Sequence, residues 1–213
     1  MKMPHRNQSP SRARTYPLLP VVGKHPPRRW TTNEWKKTLR EYDQLHRPKH
    51  LEGLSWFAEQ PSLAAAVAYA ATATNRCQKR FDHQRRIRKQ AIQSAKAVLP
   101  RHCRQFAEAT SFGEIHQIVL KSVGGIPGIG ELFCYDTALR IASFRLLEPE
   151  EVYLHAGARE GARAFCDLTY DTQSLPANQF PEPLRSRPPH EIENILCVYK
   201  SKFLGRRARK SRC

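Results

Sequence analysis

Asp136, Tyr153, His155 and Arg159 are the residues of this 213-residue chain whose types suit acid–base chemistry. Histidine changes charge near neutral pH, and a carboxylate beside it can take or hold a proton. Asp136 follows Tyr135. His155 follows Val152-Tyr153-Leu154 and precedes small residues and Arg159. Folded onto one another, Asp136, Tyr153, His155 and Arg159, with Tyr135, would form a pocket. The plain alternative is a set of buried polar groups bonded to one another across a close helix contact. The residue types alone fit both.

A second stretch concerns anions. Gly124-Gly125-Ile126-Pro127-Gly128-Ile129-Gly130 carries four glycines and a proline immediately before a helical segment. Glycines cost backbone entropy, so a cluster of them needs a reason. At 128 and 130 they permit positive φ and leave no side chain in the way. The amides of Gly128, Ile129 and Gly130 would then point outward beside a helix N-terminus, which is an anion-binding arrangement. Ile126 and Ile129 would pack inward and lock the turn, with Gly125 at its entry. The alternative is a plain tight connection between helices.

The elements that would position these residues read as helices. Thr31 or Thr32 caps a helix to about His46 with Trp35, Leu39 and Tyr42 on one face, ended by Pro48. Ser62 opens an alanine-rich helix suited to the middle of a bundle. Residues 76–100 read as one amphipathic basic helix. Its apolar stripe is Ile87, Ala91, Ala95 and Val98, and Pro100 ends it. Ser111 with Glu114 fits a capping box. Helices are expected over 112–123 and 130–144, then from Pro149 through 165, and last over 190–204. Gly157 and Gly161 allow close helix packing. Residues 167–189 are loop-like, with five prolines. No strand-period segment is long enough to build a sheet. The expected fold is all-α, a compact helical bundle over 31–204 with flexible basic termini at 1–30 and 205–213.

The net charge of +17 is unevenly placed. Residues 1–30 hold seven Lys/Arg and no acid, and 201–213 hold six and no acid. Residues 76–104 hold ten against the single acid Asp82, so the remaining interior is mildly acidic. Arg80, His83, Arg85, Arg86, Arg88 and Lys89 form the densest basic run. Three basic blocks on an acidic body favour a polyanion, most simply DNA, with RNA or an acidic protein as the alternative partner. No run of about 18 apolar residues is present, so no transmembrane helix and no membrane partner are expected. The first thirty residues lack the apolar region of a secretory signal, so the cytoplasm is the expected location. Six singly spaced cysteines, without a C-x-x-C pair, argue against a zinc site. No metal and no cofactor are expected.

Ile126-Pro127-Gly128-Ile129-Gly130 resembles the core of the helix-hairpin-helix motif, with 112–123 and 130–144 as its helices. The resemblance implies DNA-backbone binding without sequence specificity, through the hairpin amides. The helix-hairpin-helix DNA glycosylases are all-α and of similar size, and they flip a base into a pocket. In those with lyase activity a lysine stands at the position of Leu132, so the resemblance points to a monofunctional, hydrolytic glycosylase if the chain is an enzyme. Counting on from that position, the family's catalytic aspartate corresponds to Glu150, where a glutamate would activate water. YDTALRIA, VYLHAGAREGARAF and LCVYK also look like segments of bacterial proteins.

Overall fold

The computed structural model describes residues 30–205. Trp30 and Gly205 apart, the basic arm and the basic tail lie outside the described residues. Helices dominate what is described, and they gather around two hydrophobic clusters. The larger is built from α2 (Arg47–Ala58), α3 (Leu63–Thr72), α4 (Lys89–Val98), α5 (Cys103–Glu108), α6 (Phe112–Val123) and α7 (Glu131–Phe144). The smaller is built from α1 (Thr32–Leu45), α8 (Ala156–Ala162), α9 (Glu182–Arg185) and α10 (Pro189–Phe203). α7 is the central helix. Phe133, Tyr135, Ala138, Leu139, Ile141 and Ala142 are all buried, so most of its circumference is packed against protein, as in a core helix. The alanines of α3 let it lie close against α7.

Local signals set several of the helix ends. Thr31 accepts a bond from the Glu34 amide while the Glu34 carboxylate reaches back to the Thr31 amide, a complete capping box. Ser111 caps α6, but Glu114 reaches back to the amide of Thr110 at 2.7 Å. α8 rests directly on α10. A Cβ on Gly157 would stand 2.6 Å from Cys197 Sγ, and one on Gly161 would strike the Leu196 carbonyl. Glycine is therefore a packing requirement at both positions. Arg187 forks the Asp43 carboxylate at 2.8 Å through each terminal nitrogen and also meets Glu191, which Arg47 grips at 3.0 Å. These bonds tie the start of the described chain to its end.

Four expectations are corrected. Pro48 does not end the helical region; it sits in the first turn of α2, where a missing N–H costs nothing. Residues 76–88 are not α-helical; apart from a 3₁₀ turn at Asp82–Gln84 they form a loop. The Asn75 side chain accepts from the amides of Cys77 and Lys79, Gln78 takes φ +57°, and Thr74 bridges to Arg80. The apolar stripe from Ala91 onward belongs to α4 alone. Pro100 opens a 3₁₀ turn, Leu99–His102, that runs on into α5. The helix expected from Pro149 is replaced by a two-residue strand β1 (Val152–Tyr153), paired antiparallel with β2 (Ser174–Leu175), before α8 begins.

Candidate nucleic-acid interface and the two cavities beside it

α6, the glycine turn and α7 form a helical hairpin. The Ile129 amide donates to the Ile126 carbonyl at 2.9 Å, closing a tight turn with Pro127 and Gly128 at its centre. Proline fixes φ at the first central position, and the second requires positive φ; Gly128 has +95°. Ile129 is buried, and Ile126 packs on the larger cluster. The expected row of three outward amides is therefore revised, because that of Ile129 is spent inside the turn. The amides of Gly128, Gly130, Glu131 and Leu132 have no hydrogen-bond partner among the described residues. Gly125 and Gly130 have open space where a Cβ would stand and no positive φ, so nothing inside the protein requires glycine there.

The basic run lies against this hairpin. A Cβ on Gly128 would sit 3.7 Å from Ala91 Cβ, in the first turn of α4. Two helix N-termini, those of α4 and α7, thus meet at one turn. Arg86, Arg88 and Lys89, which lead into α4, are exposed and have no ion-pair partner among the described residues. Arg85 pairs with Asp82 at 2.6 Å. Arg80 is diverted to structure: its guanidinium donates to the Ile87 carbonyl at 2.8 Å, pinning the loop. His83 stays exposed but spends Nε2 on Asp136.

His83 and Gln84 lead from the basic run to Asp136. His83 Nε2 lies 2.7 Å from Asp136 Oδ2, and the Gln84 amide donates to the same oxygen at 2.7 Å. Arg140, one turn along α7, stands 3.5 Å from that oxygen and donates to the Gln84 side-chain oxygen Oε1 at 3.0 Å. Its guanidinium covers the Phe81 ring at 4.1 Å. Burial presses Asp136 toward protonation, but the Arg140 charge and the His83 bond more than offset it, holding the carboxyl below its ordinary value. Asp136 Oδ1 has no partner among the described residues.

Asp136 opens onto a cleft of about 270 Å³ between α2, α7 and α10. Phe57, Phe81 and Leu139 supply apolar wall; Lys49, His50 and Glu193 face it with Asp136. Burial raises the Glu193 carboxyl above its usual range, and the nearby Asp136 charge adds to this. His50 bonds to His190 at 2.9 Å, and its pKa falls to about 4, first by burial and then by that neighbour.

The Glu131 and Tyr135 side of α7 borders a second cavity, of about 150 Å³. Tyr135, Tyr153, His155 and Arg159 are brought together here, with His116 and Glu131. Glu193 joins the two spaces: its Oε1 lies 2.7 Å from His155 Nε2, both side chains being buried. Burial opposes charge on His155, but contact with the carboxylate outweighs it and raises the histidine. Asp136 and His155 therefore line different cavities, with the Glu193 side chain between them. Glu150 joins neither; it is exposed in the bend before β1.

Glu193, Arg140, His50 and His116 are the participants that sequence reasoning does not single out. Arg140 carries a signal, standing four residues after Asp136 at ion-pair spacing. Glu193 carries a weaker one: on α10 it falls beside Ile192, Ile195 and Leu196, inside the apolar arc.

Comparison of the chain with known protein families, curated proteins and solved structures found no match. Among the described residues, no helix is long and apolar enough to cross a membrane.

Proposed function

We propose that this chain binds the DNA backbone without sequence specificity through the 124–130 hairpin and the amino end of α4. In this reading the Asp136–Glu193 cleft carries out glycosylase-type base excision. The observation that carries the reading is the meeting of unpartnered amides with unpaired Arg86, Arg88 and Lys89 at one surface turn. Amides and a helix N-terminus suit a phosphate, and neighbouring guanidinium and ammonium groups extend the contact along a strand. The loop from Arg88 back to His83 runs from that turn to the cleft, so a strand held at the turn lies near its mouth.

Within the cleft the two carboxyls suit opposite tasks, because their environments push them apart. Asp136, held ionised, takes a proton from a water that attacks the sugar C1′. The C1′–N bond breaks, its electron pair leaves with the base, and Glu193 supplies the proton that neutralises it. His155 Nε2, 2.7 Å from Glu193 Oε1, is near enough to return a proton to it after the base has left. Leu132 offers no amine for a Schiff base, in keeping with a hydrolytic route.

The test is duplex-DNA binding by the full chain across a salt series, with Arg88→Glu/Lys89→Glu beside it. The expected slope of log K against log salt is shallower by about one to two in the variant, at roughly 0.9 for each phosphate that is no longer neutralised. An unchanged slope and affinity would assign binding to the basic termini and sink the proposal.

A further inference from the structure

The 150 Å³ cavity beside Glu131 and Tyr135 of α7 has features of its own. His116, Tyr135 and Tyr153 wall it with rings: centroids lie 4.8 Å apart for His116–Tyr153 and 5.7 Å for Tyr135–Tyr153. Three polar atoms of its lining residues make no hydrogen bond among the described residues, the Tyr135 hydroxyl and both His155 nitrogens; Nε2 has the Glu193 carboxylate beside it at 2.7 Å as an ion pair, which leaves the hydroxyl and Nδ1 with nothing. Tyr135 is 1% exposed and His155 is 3% exposed. Buried polar groups are almost always paired, so two orphans at one cavity call for a ligand that pairs them. His155 is held at its other nitrogen by Glu193, which leaves Nδ1 as the free position of an oriented ring.

The surroundings set the ligand's chemistry. Burial, reinforced by His155, lowers His116 to about 4, so this wall is neutral at ordinary pH. Arg159 is already committed to the Thr172 carbonyl at 2.6 Å and lies 4.0 Å from Glu131. Among the described residues that line the cavity, no free cation therefore awaits a phosphate or carboxylate. An apolar ring would leave both orphans unpaired. We propose that this cavity binds one neutral, nucleobase-sized planar heterocycle, stacked on the aromatic wall, with its polar edge paired to the Tyr135 hydroxyl and His155 Nδ1. Its size admits a base and leaves an attached sugar outside. The site is separate from the Asp136 cleft and does not rest on the DNA-binding reading.

The experiment titrates the full chain with free uracil, cytosine, adenine and hypoxanthine, and with benzene as an apolar control, by calorimetry or ligand-observed NMR. No DNA is present, so the result is independent of the hairpin. Binding of at least one base with 1:1 stoichiometry is expected, and benzene should bind more weakly. Tyr135→Phe keeps the ring and deletes only the hydroxyl. It should weaken that base about tenfold, the worth of one ordinary hydrogen bond. Its melting temperature should stay level or rise, because a buried hydroxyl without a partner has been removed. Three outcomes would overturn the proposal: no base binding up to its solubility limit; wild-type affinity in Tyr135→Phe; or a melting temperature that falls with the hydroxyl, which would assign that group to the fold.

Discussion

Asp136 and Arg140 show how one helix turn can make a charged site inside a core. Aspartate four residues ahead of arginine is ion-pair spacing on any helix, but here α7 is buried, so the pair must be satisfied from elsewhere. His83 and Gln84 supply bonds and Phe81 supplies a ring face. Removing the cation strands a buried carboxylate. Arg140→Met should therefore cost about 3 kcal/mol, read by chemical denaturation, in the range for breaking buried pairs. Asp136→Asn is the milder change, since an amide keeps the shape. In the proposed mechanism it should reduce base release from a damaged duplex by about a hundredfold or more, as loss of a general base does. DNA affinity should stay within about twofold, tested by gel shift, since small effects on binding are the rule for groups that act on the reacting centre alone. Equal losses of binding and turnover would move Asp136 from the chemistry to the scaffold.

Elements differ in how plainly their sequences announce them. α6, the glycine turn and α7 are legible from the Ser111 cap, the Ile115 and Val119 stripe and the Pro127-Gly128 pair, because each is a local signal. The segment 76–88 is not, although its charge is. A run of like charges has no i,i+4 partners to support a helix, and the Asn75 side chain offers the backbone a turn instead. The loop lets His83 and Gln84 reach Asp136 while Arg86 stays exposed and unpaired among the described residues. Glu193 is hidden for another reason. Its burial follows from α8 lying directly on α10, which depends on Gly157 and Gly161, far away in sequence. That contact gives a further test. Gly161→Ala places a methyl against the Leu196 carbonyl, which is backbone and cannot step aside. A loss of about 2–3 kcal/mol is expected in denaturant unfolding, as for overpacked cores. Gly130→Ala, with open space and negative φ, should cost under about 1 kcal/mol. A large loss there would mean that glycine serves the fold at that position, and not an approaching partner.

At the scale of the whole molecule, the two clusters meet along a seam of histidines. His50 and His190 face each other between α2 and α10, His116 stands between α6 and β1, and His155 closes the line beside Glu193. Burial lowers the first three, with His50 and His116 at about 4 against 6.5 for the free residue. The unfolded chain therefore takes up protons at these positions before the folded one does. Below pH 6.5 that difference favours unfolding, and its effect grows until the folded histidines titrate near pH 4. His155 works in the other direction. Its folded value is raised, so its contribution is present at acid pH and is lost as pH rises through that value. Asp136 and Glu191 have lowered carboxyls, and their contribution fades only below the ordinary carboxylate range. Glu193, raised by burial, also takes up its proton in the fold first and sides with His155, so three lowered histidines stand against two raised groups between pH 6.5 and 4. The melting temperature should fall across that window, before the lowered carboxyls of Asp136 and Glu191 begin to protonate. His116→Phe keeps an aromatic wall and removes one of the three protonations, so its melting curve should fall less steeply between the same limits. A variant whose pH dependence overlays that of the parent would show that His116 accepts a proton in the fold as readily as in the unfolded chain, and would remove the neutral wall from the second cavity.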